Sequence, residues 1–141
     1  MKPIIESIRD YFLDCPYLAD EARLNIDFLG DDPIEYGIYS EPSLTTIKKY
    51  VDGDELKQFN FVFATQTTMT GDLVTQLENR SFFDSLIEWI WQQNKNKNYP
   101  ALEGKRYPVK MEVVNNGYIS TANATNAVYQ IQMSLKYMEV Y

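Results

Sequence analysis

Histidine is absent from this chain of 141 residues. That removes Ser-His-Asp and Cys-His nucleophilic catalysis, His-ligated zinc and imidazole general bases together. Cysteine occurs once, at Cys15, so no internal disulfide can form and a reducing compartment fits. With no imidazole to activate it, that thiol reads as a small buried hydrophobe near the end of a helix. Long apolar runs are missing too: nothing approaches the ~18 consecutive apolar residues of a membrane-spanning helix. Met1-Lys2-Pro3 leads directly into a segment bearing Glu6, Arg9 and Asp10, so no secretion leader is expected. The six glycines are scattered and build no phosphate-cradling loop. Basic residues are in deficit, 13 Lys and Arg against 20 Asp and Glu, for a formal net charge of −7. That balance argues against nonspecific binding to phosphate backbones, and so against a nucleic-acid partner.

What is present fits one domain with its own core. Hydrophobic residues make up 45% and aromatics 14%, with eleven tyrosines. Tyrosine suits strands, and also interfaces where one end is apolar and the other wet.

The organising stretch is Thr45 to Thr65, TTIKKYVDGDELKQFNFVFAT. It reads as two strands joined by a tight turn at Val51-Asp52-Gly53-Asp54, where Asp-Gly suggests a type I′ turn. On the return strand Phe59, Phe61, Phe63 and Thr65 share one face; Gln58, Asn60, Val62 and Ala64 share the other. Three phenylalanines on one face place that face in the core. Lys48, Lys49 and Tyr50 sit near the polar tip, in solvent or against a partner.

The rest of the chain reads in order. Residues 3–15 form a helix with Ile4, Ile5, Ile8, Tyr11 and Phe12 on its apolar face, ended by Pro16. Strands follow at residues 23–28 and 34–39, and short links make antiparallel pairing the simple expectation. Asp72 to Glu78 reads as a short helix or turn. Ser81 then reads as the N-cap of a second helix, Phe82 to Asn94. Its apolar stripe is Phe82, Phe83, Leu86, Ile87, Ile90 and Trp91, with Trp89 beside it. A strand at 109–114 places Val109, Met111 and Val113 together, and Asn115-Asn116-Gly117 signals a second hairpin. The last strand, from Ala127 to Tyr137 or beyond, alternates Tyr129, Ile131, Met133, Leu135 and Tyr137 against Gln130, Gln132, Ser134 and Lys136. Helix, four strands, helix, three strands give an α+β domain: a mostly antiparallel sheet with two main helices on one face.

No cluster in this order carries recognisable chemistry. Asp31-Asp32 and Asp52/Asp54 are turn residues, where Asx side chains bond locally. Glu21, Asp27 and Glu35 could converge with other acids, but no spacing requires it. Asp52-Gly53-Asp54-Glu55 lacks calcium-loop spacing. No catalytic residue, metal ligand or cofactor is assigned. Lys48, Lys49 and Lys57, with Tyr50, form either a small basic patch at a subunit interface or a solvated edge guarded against aggregation.

Several stretches together resemble a family of small phage and prophage proteins of Gram-positive bacteria, described as minor capsid or tail-terminator-like. They are MKPIIESIRDYFLDCPYL, RLNIDFLGDDPIEYGI, KKYVDGDELKQFNFVFAT, FFDSLIEWIWQQN, PVKMEVVNNGYI and VYQIQMSLKY, which cover nearly the whole chain. Some members look to have been labelled chloramphenicol resistance proteins, but a chain without histidine does not support a histidine-based acetyltransferase. The resemblance implies a non-enzymatic virion protein at the head-proximal end of the tail, present in the host cytoplasm during assembly. It implies a homo-oligomeric ring, usually of six copies, that caps the tail tube and meets the head connector. Lys48, Lys49, Tyr50 and Lys57 are the expected contribution to one ring contact.

Overall fold

A computed structural model describes residues 2–18, 23–26, 35–41, 45–68, 73–115, 117–122 and 126–141. The elements are α1 (Ile4–Leu13), β1 (Arg23–Ile26), β2 (Glu35–Ser40), β3 (Thr46–Lys49), β4 (Glu55–Thr68), α2 (Leu73–Lys95), β5 (Arg106–Val113), β6 (Tyr118–Ala122) and β7 (Asn126–Glu139). This is the expected α+β order: helix, four strands, helix, three strands.

Two 14-residue strands, β4 and β7, form the centre of the sheet. They pair antiparallel along their whole length, from Glu55↔Glu139 to Thr68↔Asn126. The period of two in both sequences puts Phe59, Phe61 and Phe63 in register with Leu135, Met133 and Ile131 on one face. Of these, Phe61, Phe63, Ile131, Met133 and Leu135 are buried, Phe59 partly. They form the core with Ile8 and Phe12 of α1 and Phe83, Leu86 and Ile90 of α2. The arginine of α1 fastens that helix to the sheet, Arg9 Nε donating to Leu24 O at 2.7 Å.

Each central strand has an outer edge made of two pieces laid end to end. β2 pairs with β4 at residues 61–65, and β3 pairs with β4 at 55–57. In the same way β5 covers β7 at 133–139 and β6 covers it at 127–130. The Asn115–Gly117 hairpin expected from sequence is therefore a break in one edge: β6 continues the direction of β5 along β7. Glycine is needed there for close approach, because a Cβ on Gly117 would lie 2.6 Å from Phe83 Cγ. The segment is tied down by Val114 N–H to Gln132 O at 2.8 Å and by Arg80 Nη2 to Gly117 O at 2.8 Å.

Other expectations also needed correcting. β1 and β2 pair in parallel. The short links that made antiparallel pairing the simple expectation do not decide strand direction here: Arg23–Ile26 run in register with residues 35–38. Ser81 caps nothing: α2 is one helix of 23 residues, since no Gly or Pro interrupts Leu73–Lys95. Trp89 is half-buried against Tyr11 and Phe12, with ring centroids at 5.1 and 5.8 Å, while Trp91 is 66% exposed. The stripe widens toward α1, which lies on the Trp89 side. Val109 is displaced to the surface by a bulge between Pro108 and Lys110; proline has no N–H for the ladder and is tolerated on such an edge. The hairpin turn is not type I′. Tyr50 N–H bonds Asp54 O at 2.8 Å, Gly53 N–H bonds Tyr50 O at 3.1 Å, and φ is +96° at Gly53 but not positive at Asp52. A three-residue loop ending in left-handed glycine results, with Asp52 Oδ1 accepting Asp54 N–H at 3.1 Å.

The Gly117–Phe83 contact makes a test. Gly117→Ala is expected to cost about 1–3 kcal/mol by overpacking. Adding Phe83→Leu should make the combined loss smaller than the sum of the two single losses, read by urea denaturation of all four chains.

Candidate functional site

Three surfaces stand out from the bulk of the molecule. The first is the β3–β4 tip. Ile47, Tyr50, Val51 and Tyr141 are exposed there, Val51 completely. Lys48 Nζ lies 5.1 Å from the Tyr50 ring centroid, a cation–π distance. Tyr141 folds beneath the turn, its N–H on Asp54 Oδ1 at 3.0 Å and its hydroxyl on Glu55 Oε2 at 3.2 Å. Of the four residues expected at an interface, Lys48, Lys49 and Tyr50 stand exposed together at this tip. Lys57 does not join them. It is half-buried and paired with Glu139 and with Glu55 at 3.4 Å. The Glu55 carboxylate also meets Lys49 at 3.7 Å, so one acid bridges the exposed and the sheltered lysine. The hydrogen bond to Glu139 raises the Lys57 pKa above its ordinary 10.5, outweighing partial burial.

The second surface is the sheet face away from the core. Its central positions are uncharged: Asn60, Val62 and Ala64 on β4, Gln130, Gln132 and Ser134 on β7. Gln132 links the two broken edges across it. Its backbone N–H and side-chain oxygen are both taken by Asn115, at 3.2 and 2.8 Å, and its Nε2 reaches Glu41 at 3.4 Å. Beside this belt, Val62, Ala64 and Ser134 are buried. Toward the tip, Glu112 receives Lys136 at 3.1 Å and Lys110 at 3.7 Å.

The third surface is a cleft of about 420 Å³ between α1 and the C-terminal half of α2 with the loop after it. Helical spacing puts Ser7, Asp10 and Tyr11 of α1, with Asp14 at its C-cap, along one wall. Trp89 and Gln93 of α2 and residues 98–101 make the other. Tyr11 donates to Asn98 O at 3.1 Å, and burial pushes its phenol well above the ordinary 10. Asn98 Nδ2 bonds Gln93 Oε1, and Lys2 Nζ is seated on Asp10. Ser7 is buried, and its hydroxyl has no partner among the described residues. No feature of the sequence pointed to this cleft: its members come from separate stretches that only the fold brings together.

Of the acids considered from sequence, Glu21, Asp27, Asp31 and Asp32 lie outside the described residues, as does the Glu35 side chain. Asp52 and Asp54 serve the turn. Among the described residues no three His, Cys, Asp or Glu side chains are placed to share a metal ion. Nor, among them, is any helix long and apolar enough to cross a membrane. Comparison with protein-family models gives no match to this chain, and comparison with curated proteins gives none either.

The titrating groups set a pH dependence. Burial raises the pKa of Tyr11, Cys15 and Tyr137, and Lys57 is raised by its bond to Glu139. All four hold their proton more tightly folded than unfolded. Their contribution is whole below the unfolded values, which begin at 9.0 for the thiol, and is lost as pH rises through the folded ones. The thermal midpoint is expected to fall as pH rises from about 9 to 11, and to fall less steeply in Tyr11→Phe. Scanning calorimetry across that range checks both.

Proposed function

We propose that this chain is a structural subunit of a phage virion, a tail terminator that closes into a ring at the head-proximal end of the tail tube. The observation that carries the reading is a pair of unlike surfaces on one subunit. One is the projecting tip with Ile47, Tyr50, Val51 and Tyr141 exposed. The other is the sheet face away from the core, which carries no helix among the described residues and is uncharged at its centre. A cyclic ring other than a dimer needs two different patches per subunit, one to meet the other on the next copy. Exposed apolar side chains gathered at a protruding turn suit such a contact. The resemblance in sequence supports the same role, with neighbours in the tail tube and the head connector, a site in the virion neck, and the host cytoplasm during assembly. The reading assigns no catalysis and no cofactor.

Another head–tail connector component is the nearest alternative, and position in the particle separates the two. A small protein-binding module is the other. The outer edge of β3 favours it, because among the described residues β3 pairs with β4 alone. An extended peptide adds as a strand to such an edge.

The test is solution mass by light scattering over a concentration series. A discrete closed species near six subunits is expected, on its own or with tail-tube protein added. In the Lys48→Glu/Lys49→Glu chain the association midpoint should move to at least about tenfold higher concentration, equivalent to roughly 1.4 kcal/mol. Assembly unchanged by that reversal would remove the tip from the contact. A monomer throughout, with and without the tube, would overturn the ring.

A further inference from the structure

The cleft between α1 and α2 is not needed for any of the contacts above. Its volume, about 420 Å³, is within the range of small-ligand sites. The rings of Tyr11, Trp89 and Tyr99 line it, with the carboxylates of Asp10 and Asp14. We propose that this cleft is a binding site for a single organic cation, an ammonium or guanidinium group at the end of a short apolar stem.

Four observations carry this. First, acceptors dominate the lining. Asp10, Asp14, the Ser7 hydroxyl and Asn98 Oδ1 can all accept, whereas Lys2, the one cation among the described lining residues, is already spent on Asp10. Second, Ser7 is 2% exposed, and its buried hydroxyl has no partner among the described residues. A buried hydroxyl without a partner costs free energy that a donor on a ligand would recover. Third, aromatic walls attract cations through the negative face of the ring, and more strongly where water is excluded. Fourth, the Lys2 ammonium on Asp10 shows that this wall already takes the chemistry in question. Asp14 has no such cation on it among the described ion pairs and is the open acceptor. An anion would face two carboxylates and is disfavoured. The cation has two possible sources: a free amine, or a basic side chain of another molecule, including a second copy of this chain.

Trp89 makes the site readable. In a Trp91→Phe chain it is the sole tryptophan. N-acetyl-lysine methylamide and N-acetyl-arginine methylamide are titrated at fixed ionic strength, with N-acetyl-norleucine methylamide as the neutral control. The two cationic probes are expected to change Trp89 emission saturably, with Kd on the order of 1–10 mM, while the control gives no saturation. Asp14→Asn and Ser7→Ala should each weaken binding at least about threefold. Lys2→Met, by freeing Asp10, should tighten it, a gain that loss of structure would not produce. Equal responses to all three probes, or none to the cationic pair, would overturn the proposal. So would binding indifferent to Asp14, Ser7 and Lys2. Light scattering at saturating lysine probe then separates the sources. Dissociation of an existing oligomer identifies the neighbouring copy as donor, and saturable binding at unchanged mass identifies a free or foreign cation. Because this titration reads one chain at a time, it holds or fails independently of the ring.

Discussion

Everything in this molecule hangs on the pairing of β4 with β7. Fourteen consecutive pairs give a seam about 48 Å long at roughly 3.4 Å per residue. The register is strongly determined, because a slip of one residue would carry Phe59, Phe61 and Phe63 from the core to the opposite face. Burying Phe61 and Phe63 fully is a transfer of about 1.5–3 kcal/mol for each ring, all of it at risk in such a slip. Both helices are placed by the same seam: α1 and α2 pack on the face that its alternation makes apolar.

The seam is longer than any neighbour can cover, and the rest of the sheet follows from that. Each edge is assembled from two short strands, with a break where one ends and the next begins. A break leaves backbone and side-chain groups to be satisfied, and Gln132 and Asn115 do so on the side of β7. Through Glu41 the same glutamine reaches the other break, so a polar belt crosses the sheet at its middle. The ion pairs between strands lie instead toward the tip, where Lys57, Glu55 and Glu139 occupy the end of the core face.

How much of this could be read from the chain depended on whether a signal was local. Alternation in β4 and β7 is local, and it placed both strands and their buried faces correctly. The apolar face of α1 is local too, as is the short reach that expects Cys15 to be buried. What a strand pairs with is not local. Nothing in Arg23–Ile26 distinguishes a parallel from an antiparallel neighbour. Asn-Asn-Gly at a strand end signals a turn through the torsional freedom of glycine, but Gly117 is there because Phe83 leaves no room for a side chain. Helical spacing put Trp91 in the apolar stripe and Trp89 beside it, but α1 covers Trp89 and leaves Trp91 exposed. Of the proposed contact residues, Lys48, Lys49 and Tyr50 are at the tip as expected. Lys57 was grouped with them by proximity in sequence, but it is sheltered between two carboxylates, Glu55 and Glu139. The cleft was invisible because it draws on α1, α2 and the loop after α2 at once.

The seam also dictates the order in which the chain can fold. The bond from Lys57 to Glu139 joins residues 82 apart in sequence, with α2 and two strands between them. Closing so large a loop is entropically unfavourable before the contacts it brings can compensate, which is the mark of slow folding. The strand synthesised last of the seven is one of the two at the centre of the sheet. Until it arrives, the phenylalanine face of β4 has only one side of its ladder filled, by β2 and β3. A ribosome-bound or truncated chain therefore carries a long, apolar, unpaired strand edge. The growing polypeptide depends on prompt capture of β7, or on a chaperone, for protection against association with its own kind.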